Sequence, residues 1–376
     1  MDKIGIVDHV GKKSGMDFYD VSLAKELSKK INVYIFSNFQ KKSSKTPDVI
    51  IKKTFGDYKK DENIIDKSTY FFSGFIRSFI KAKRNSVKII ILHSFSYEIK
   101  DILVYIIARL FGLKILLIAH DISGFAKGDN KIIKNIILKH LADKVLVHNS
   151  FSKRELLKEN ISENKVITIR LGGYIDLVNL VEKKEALSKL DLSDEYKYVL
   201  FFGQIKEVKG LDLLIEAFGK INNTNTKLII AGKVWNDNYE KYIELINNFD
   251  LEEKVIFLKR FIPDEEMDLL FSVSDIVVIP YREIYQSAVL LNALSYPSLV
   301  LCSDLEPNKE VIIDENNGFL FKSSNIQSLS EKLSMLLSLE NNVRDRIKRK
   351  ALETVEGEHS WDYSAKKILN YLEQKR

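Results

Sequence analysis

Residues 198–218 read YVLFFGQIKEVKGLDLLIEAF. Tyr198, Val199, Leu200, Phe201 and Phe202 form an unbroken apolar run, the pattern of a strand buried on both faces of a parallel sheet. Residues 203–210 follow as a turn, with a glycine at each end and Gln204, Lys206 and Lys209 between them. Leu211, Leu213, Leu214, Ile215 and Phe218 then recur at helical spacing. Strand, basic turn and helix start together make a seat for phosphate. The first turn of a helix offers unpaired N–H groups and the positive end of its dipole, and a lysine adds a full charge. Read alone, the stretch is equally an ordinary strand–loop–helix with solvated lysines, so its surroundings have to decide.

Toward the C-terminus, apolar runs at 227–231, 255–258, 275–279 and 298–302 alternate with helical patterns at 238–248, 264–272 and 288–295. Helices are predicted at 326–338 and 341–354, and a last amphipathic helix follows Trp361. Toward the N-terminus, strand patterns at 4–7, 32–37, 88–92, 114–119, 144–147 and 166–169 alternate with helices. Alternation throughout predicts doubly wound α/β domains. At 376 residues the chain is too long for one ordinary core. The pair Gly172-Gly173 marks a break between halves, and a Lys- and Glu-rich connector occupies 179–196. The expected domains are 1–174, completed by a C-terminal helix at 357–376, and 175–356.

Composition narrows the chemistry. Apolar content of 45% and charged content of 29% are those of a globular protein. The 58 basic residues against 52 acidic ones give a net charge of +6. That excess suits anionic small molecules or an anionic membrane surface, and it lacks the dense basic stripe of a nucleic-acid binder. The single cysteine, Cys302, excludes an internal disulfide framework and reads as a core thiol. Six histidines show no HExxH spacing. No GxGxxG is present, which argues against a dinucleotide-dependent dehydrogenase. Residues 4–7 read as a strand directly after Met1-Asp2-Lys3 with no signal peptide, so a cytoplasmic location is expected. The apolar span 101–119 is broken by Arg109, Gly112 and Lys114 and is better read as a helix followed by a strand than as a membrane span.

Three places in the first half carry candidate function. The loop at 8–17, with Gly11, Ser14 and Gly15, follows the first strand, where open α/β sheets bind ligands. His120 and Asp121 stand at the carboxyl end of a buried strand, and a histidine there can move protons or bond a sugar hydroxyl. Residues 70–88 mix Phe71, Phe72, Phe75, Ile76 and Phe79 with Arg77, Lys81, Lys83 and Arg84. That is the composition of a helix lying on a membrane surface or, equally, of a packed helix with a solvated basic face.

The order of motifs resembles the GT-B glycosyltransferases, most closely family 4, a group of retaining sugar transferases. FFGQIKEVKGLDLLIEAF (201–218) is similar to that family's strand–turn–helix, and LIIAGK (228–233) to the strand that follows. FIPDEEMDLLFSVSDIVVIPYRE (261–283) resembles the segment leading to the donor loop, and NKEVIIDENNGFLF (308–321) its EVI…NGxL ending. In the first half, HDISGF (120–125) and ADKVLVHNSFSKREL (142–156) are similar to the acceptor-side pattern. SWDYSAKKILNYL (360–372) is similar to the helix that crosses back to the first domain.

The resemblance implies two Rossmann-like domains facing a central cleft. It also implies transfer of a sugar, with retention, from a nucleotide-diphosphate donor to a hydroxyl of a glycan or lipid-linked glycan of the kind found in bacterial surface polysaccharide synthesis. Catalytic roles would fall to His120, Asp121 and Lys209. Lys209 would hold the donor diphosphate, with Gly203 admitting the backbone and Gln204 standing where many members carry arginine. Gln286, Ser287 and Ala288 would bind the second phosphate, and Glu310 the ribose or the sugar. Gly15 would lie on the acceptor approach. The family's donor-loop glutamate pair falls on Ile284 and Asn292, with Glu283 one residue from the first. No metal and no cofactor beyond the donor are expected. The partners expected are the nucleotide sugar, a glycan or polyprenyl-linked acceptor and a membrane touched through 70–88, with no nucleic acid. The departure at Ile284 and Asn292 leaves a catalytically degenerate partner subunit as an alternative, and a sugar-nucleotide epimerase as another.

Overall fold

The computed structural model describes residues 3–11, 15–39, 49–56, 64–122, 130–221 and 224–374. The chain divides into two compact units. One comprises residues 1–171 with 361–376, and the other residues 172–360.

In the first unit the strands are β1 (Lys3–Val7), β2 (Asn32–Ser37), β3 (Val49–Lys53), β4 (Ile89–Ser94), β5 (Lys114–Ala119), β6 (Lys144–Val147) and β7 (Val166–Thr168). They form one sheet in the order β3-β2-β1-β4-β5-β6-β7, and every pairing is parallel. In the second unit the strands are β8 (Lys197–Phe202), β9 (Thr226–Ala231), β10 (Val255–Leu258), β11 (Ile276–Ile279), β12 (Leu299–Ser303) and β13 (Phe319–Phe321). Their order is β10-β9-β8-β11-β12-β13, again parallel throughout. Each unit is thus a doubly wound, Rossmann-like α/β domain.

The topology decides where ligands go. In each sheet the winding reverses beside the first strand, between β1 and β4 in one unit and between β8 and β11 in the other. A crevice opens outside the carboxyl ends of the strands at such a reversal. β8 sits centrally because its side chains are apolar on both faces, and residues 198–201 are fully buried between helical layers. Asp275, just before β11, receives the Tyr198 N–H at 2.9 Å and an ion pair from Lys183 at 2.8 Å. This ties the opening residue of the apolar run in β8 to the turn that starts its neighbour.

Two elements differ from the sequence reading. β3 is an additional edge strand beyond β2, half exposed along its length. The helix expected at 70–88 runs Ile64–Arg84, and its Phe71, Phe75 and Phe79 are buried. Phe71 and Phe75 pack against His9, and Phe79 against Phe111. The aromatic face of that helix therefore fills the unit's own core, while Arg77, Lys83 and Arg84 remain exposed.

The last helix, Trp361–Glu373, belongs to the first unit. Trp361 packs edge-on against Tyr19 at 4.7 Å between ring centroids, and the Ser364 hydroxyl receives the Arg170 N–H at 3.1 Å. Where the chain enters and leaves the second unit, the Gly173 N–H donates to the His359 carbonyl at 2.6 Å.

Candidate functional site

In the second unit the turn after β8 is built by its neighbours. The Gly203 N–H donates to Ala231 O at 3.0 Å and the Ile205 N–H to Lys233 O at 3.0 Å, so the turn continues alongside β9. Gly232 makes this possible, because a side chain there would bring its Cβ to 1.8 Å from Gly203 O. A short 3₁₀ turn, Glu207–Lys209, then ends at Gly210 in the left-handed conformation, φ 64°. A Cβ at Gly210 would meet Pro280 O at 2.0 Å, so glycine alone lets this turn press on the loop that follows β11.

That loop grips the turn in return. The Arg282 N–H donates to Val208 O at 2.9 Å. Its guanidinium donates to Glu207 O at 2.9 Å and spans the Asp212 carboxylate with two bonds of 2.8 and 2.5 Å. Bidentate charge-assisted pairs of this kind are strong and directional. The Lys209 ammonium lies 3.7 Å from the centroid of the Tyr281 ring, a cation–π seat that fixes its position. Tyr281 is buried, and burial keeps its hydroxyl protonated while it hydrogen-bonds Ser287.

The Ser287 hydroxyl also caps the helix Ala288–Leu294, accepting the Leu290 N–H at 3.1 Å. Val289 in that helix reaches to 3.6 Å of a Cβ placed on Gly203. Gly203, Lys209 and Ser287 are therefore held together at the β8/β11 reversal by Tyr281 and Arg282. Gln204, Glu283 and Ala288 are exposed on the same segments, Gln286 is half-buried beside Ser287, and Glu310 stands half-buried at the end of the short helix Glu306–Lys309 beyond β12. Asn292 turns inward, its amide on the Met267 sulfur at 3.4 Å.

Tyr281 and Arg282 were not among the residues expected from sequence. The signal for them is their place, two polar side chains that follow the apolar run 276–279 across Pro280, after the strand that flanks β8.

In the first unit the carboxyl ends of the strands converge on a buried polar chain. Asp8 follows β1 and accepts the N–H groups of Val10 at 2.8 Å and Gly11 at 2.7 Å. Asp20 comes from the helix Met16–Ser28, which Gly15 opens. His93 lies on β4, and its Nε2 is 3.0 Å from Asp20 Oδ1. The other ring nitrogen, Nδ1, is 2.9 Å from His120 Nε2. His120 is sandwiched further by Phe95, stacked at 4.3 Å, and neighbours His148, whose Nε2 is 3.4 Å from the Tyr19 hydroxyl. Asp121 is half-buried, and its carbonyl accepts from the Tyr97 hydroxyl at 3.5 Å. Ser14 lies outside the described residues.

Burial governs the charges here. It lowers His93 to about 4 and pushes His120 well below the usual histidine range, so both rings are neutral near pH 7. Burial, reinforced by Asp20, raises Asp8 to about 7, and burial raises Asp20 well above the carboxylate range. Two neutral imidazoles joined nitrogen to nitrogen carry one proton on that link. The tautomer of His120 is therefore coupled through His93 to what Asp20 presents. A neutral His120 can donate or accept a hydrogen bond but carries no fixed positive charge. A cavity of about 100 Å³ adjoins this chain, with His9, Phe71, Phe75, His93, Phe95 and Lys100 in its wall.

Among the described residues, no group of three or more His, Cys, Asp or Glu is placed to hold a metal ion.

Residues 182–354 match the family model for "Glycosyl transferases group 1", a span that covers most of the second unit. An uncharacterised glycosyltransferase of Methanocaldococcus jannaschii is 31% identical over 193 residues, 50% of this chain and 48% of the relative. The chain thus spans about half the length of that relative. Sucrose-phosphate synthase from Thermosynechococcus elongatus superposes with a TM-score of 0.77 at 18% identity, covering 100% of this chain and 99% of the other. The Anabaena protein HepE, solved in complex with UDP and glucose, gives a TM-score of 0.77 at 17% identity with 100% coverage of both chains. At these identities the structural likeness establishes the GT-B fold.

Proposed function

We propose that the protein is a glycosyltransferase that moves a sugar from a nucleotide-diphosphate donor to a hydroxyl of a glycan or lipid-linked glycan, with retention at the anomeric carbon. The observation that carries this reading is the clamped turn after β8. Lys209, seated on Tyr281, and the 203–212 backbone stand at the winding reversal of the very unit that matches the group 1 family model. A lysine and backbone amides there would stabilise charge on the departing diphosphate, which is the role a metal ion otherwise fills. We take the reaction to be metal-independent and to need no cofactor beyond the donor. The complex of HepE with UDP and glucose makes a UDP-sugar the first donor to try.

In this reading His120 bonds a sugar or acceptor hydroxyl from the first unit, Asp121 and Gly15 lie along the acceptor approach, and Glu310 meets the ribose or the sugar. The setting is bacterial surface polysaccharide assembly, on the cytoplasmic face of a membrane touched peripherally. Among the described residues, no helix is long and apolar enough to cross a membrane.

The test is direct. The purified chain is titrated with a panel of nucleotide sugars and assayed for slow donor hydrolysis and for transfer. Absence of binding by every nucleotide would sink the enzyme reading. A second reading, a non-catalytic GT-B partner subunit, draws on Asn292. It occupies one of the two usual glutamate positions and is turned inward onto Met267. Tight nucleotide binding with no hydrolysis and no transfer to any glycan acceptor would favour that reading.

A further inference from the structure

The helix Ile99–Leu110 is apolar on two opposite sides. Val104, Tyr105 and Ala108 are buried against the sheet. Ile99, Leu103, Ile106 and Leu110, spaced four, three and four residues apart, fall on one stripe diametrically opposite, as a period of 3.6 residues requires. They are 70%, 44%, 39% and 80% exposed. Scattered exposed hydrophobics are ordinary, but a continuous stripe along a whole helix marks an interaction surface.

Its setting is basic. At the C-terminal end of the helix, Lys83 reaches to 3.7 Å of a Cβ placed on Gly112, while Lys88 and Lys114 lie side by side at the starts of β4 and β5, the Lys114 N–H bonded to Lys88 O at 2.9 Å. All three lysines are exposed, and so is Ile132 on the adjoining helix Lys131–Ile136. The acidic residues of this helix region are spoken for. Asp101 accepts the Glu98 N–H in the N-terminal cap, Glu98 pairs with Lys100, and Asp143 pairs with Arg109.

We propose that this stripe is the surface by which the protein lies on an anionic lipid membrane, with the four apolar side chains entering the acyl boundary and Lys83, Lys88 and Lys114 meeting lipid phosphates. An amphipathic in-plane helix flanked by lysines is the form such binding takes. Charge complementarity argues for lipid as the occupant, since three exposed lysines at one end of the stripe match an anionic surface. The proposal does not depend on the transferase reading. It also replaces the aromatic face of residues 70–88 as the apolar contact, because that face is buried.

The test uses the full chain and vesicles of phosphatidylcholine with phosphatidylglycerol, against phosphatidylcholine alone. We expect sedimentation with the anionic vesicles only, falling as salt rises. The triple variant Leu103→Gln, Ile106→Gln, Leu110→Gln should lose about tenfold or more of this binding, with an unchanged melting curve and unchanged nucleotide binding. The variant Lys83→Gln, Lys88→Gln, Lys114→Gln should lose the preference for anionic lipid. Wild-type sedimentation by the apolar triple variant would overturn the proposal, as would failure of the wild type to bind vesicles. A dimer of the wild type that the same variant converts to monomer would assign the stripe to a second copy instead.

Discussion

Arg282 holds Asp212 with both terminal nitrogens of its guanidinium, at 2.8 and 2.5 Å, and so fastens the loop after β11 to the helix that starts beyond the basic turn. Replacing Arg282 with lysine keeps the charge but loses the fork. We expect Arg282→Lys to cost about 1 kcal/mol of stability and Arg282→Ala about 2, since the pair is partly exposed. Both should weaken nucleotide binding because residues 207–209 lose a tether. Thermal denaturation and calorimetric titration with UDP check the two effects on the same samples.

Lys209→Ala removes the cation seated on Tyr281. UDP affinity should fall about tenfold or more, the worth of one charge-assisted contact to phosphate, with the melting temperature nearly unchanged. Turnover at near wild-type rate with a true acceptor would show that Lys209 does not hold the diphosphate.

Gly210→Ala places a Cβ 2.0 Å from Pro280 O in a left-handed backbone position. Strain and overpacking should together cost about 2–4 kcal/mol, read as a lower urea midpoint. Nucleotide affinity should drop with it, because the turn and the loop after β11 can no longer press together.

Asp20→Asn changes what His93 meets at Nε2 and should alter the proton placement along His93 and His120. The readout is the set of ring ¹⁵N shifts of His120, which move with tautomer and not with packing. Under the transferase reading, kcat should fall about tenfold or more while the KM for the donor stays put, since Asp20 belongs to the first unit.

The same cluster sets opposing pH slopes on stability. His93 is held near 4 against an ordinary value of 6.5, so the unfolded chain takes up a proton that the folded one refuses. Its contribution is present above about pH 6.5 and is lost as pH falls toward 4. Asp8 is raised from 3.8 to about 7, so the folded chain keeps a proton that the unfolded one releases. That contribution is present below about pH 4 and is lost as pH rises through 7. Each is of order 3 kcal/mol across its window, and Asp20 acts in the same direction as Asp8. Calorimetry on His93→Asn should show stability falling from about pH 4 to about pH 7. On Asp8→Asn, His93 and His120, both held below the usual histidine range, oppose Asp20 alone, so stability should instead rise over much of that range. Parallel profiles for the two variants would refute the assignment.

The sheets were legible from sequence because fully buried parallel strands announce themselves as apolar runs, as at 198–202, 114–119 and 276–279. β3 escaped because VIIKK at 49–53 lies on an edge, half exposed, and lacks a two-sided apolar signature. The helix Ile64–Arg84 shows the converse limit. Its phenylalanines and basic residues were plain, but composition does not say which face a helix turns inward. Lys209 and His120 could be picked out by their positions after buried strands. The partners that fix them could not. Tyr281 lies 72 residues beyond Lys209, and Asp20 lies 73 before His93. Contacts of that separation are set by strand order, which local pattern does not encode.

The second unit is, in chain terms, an insertion. The first unit's chain breaks off after Leu171 and resumes at Trp361, and the two crossings lie side by side where the Gly173 N–H meets His359 O. Adjacent entry and exit make residues 172–360 an exchangeable cassette. A chimera that splices a relative's corresponding segment between Leu171 and Trp361 would leave the Tyr19–Trp361 contact and the Arg170–Ser364 bond of the host intact, whereas a simple truncation at Leu171 would strip the host of its closing helix.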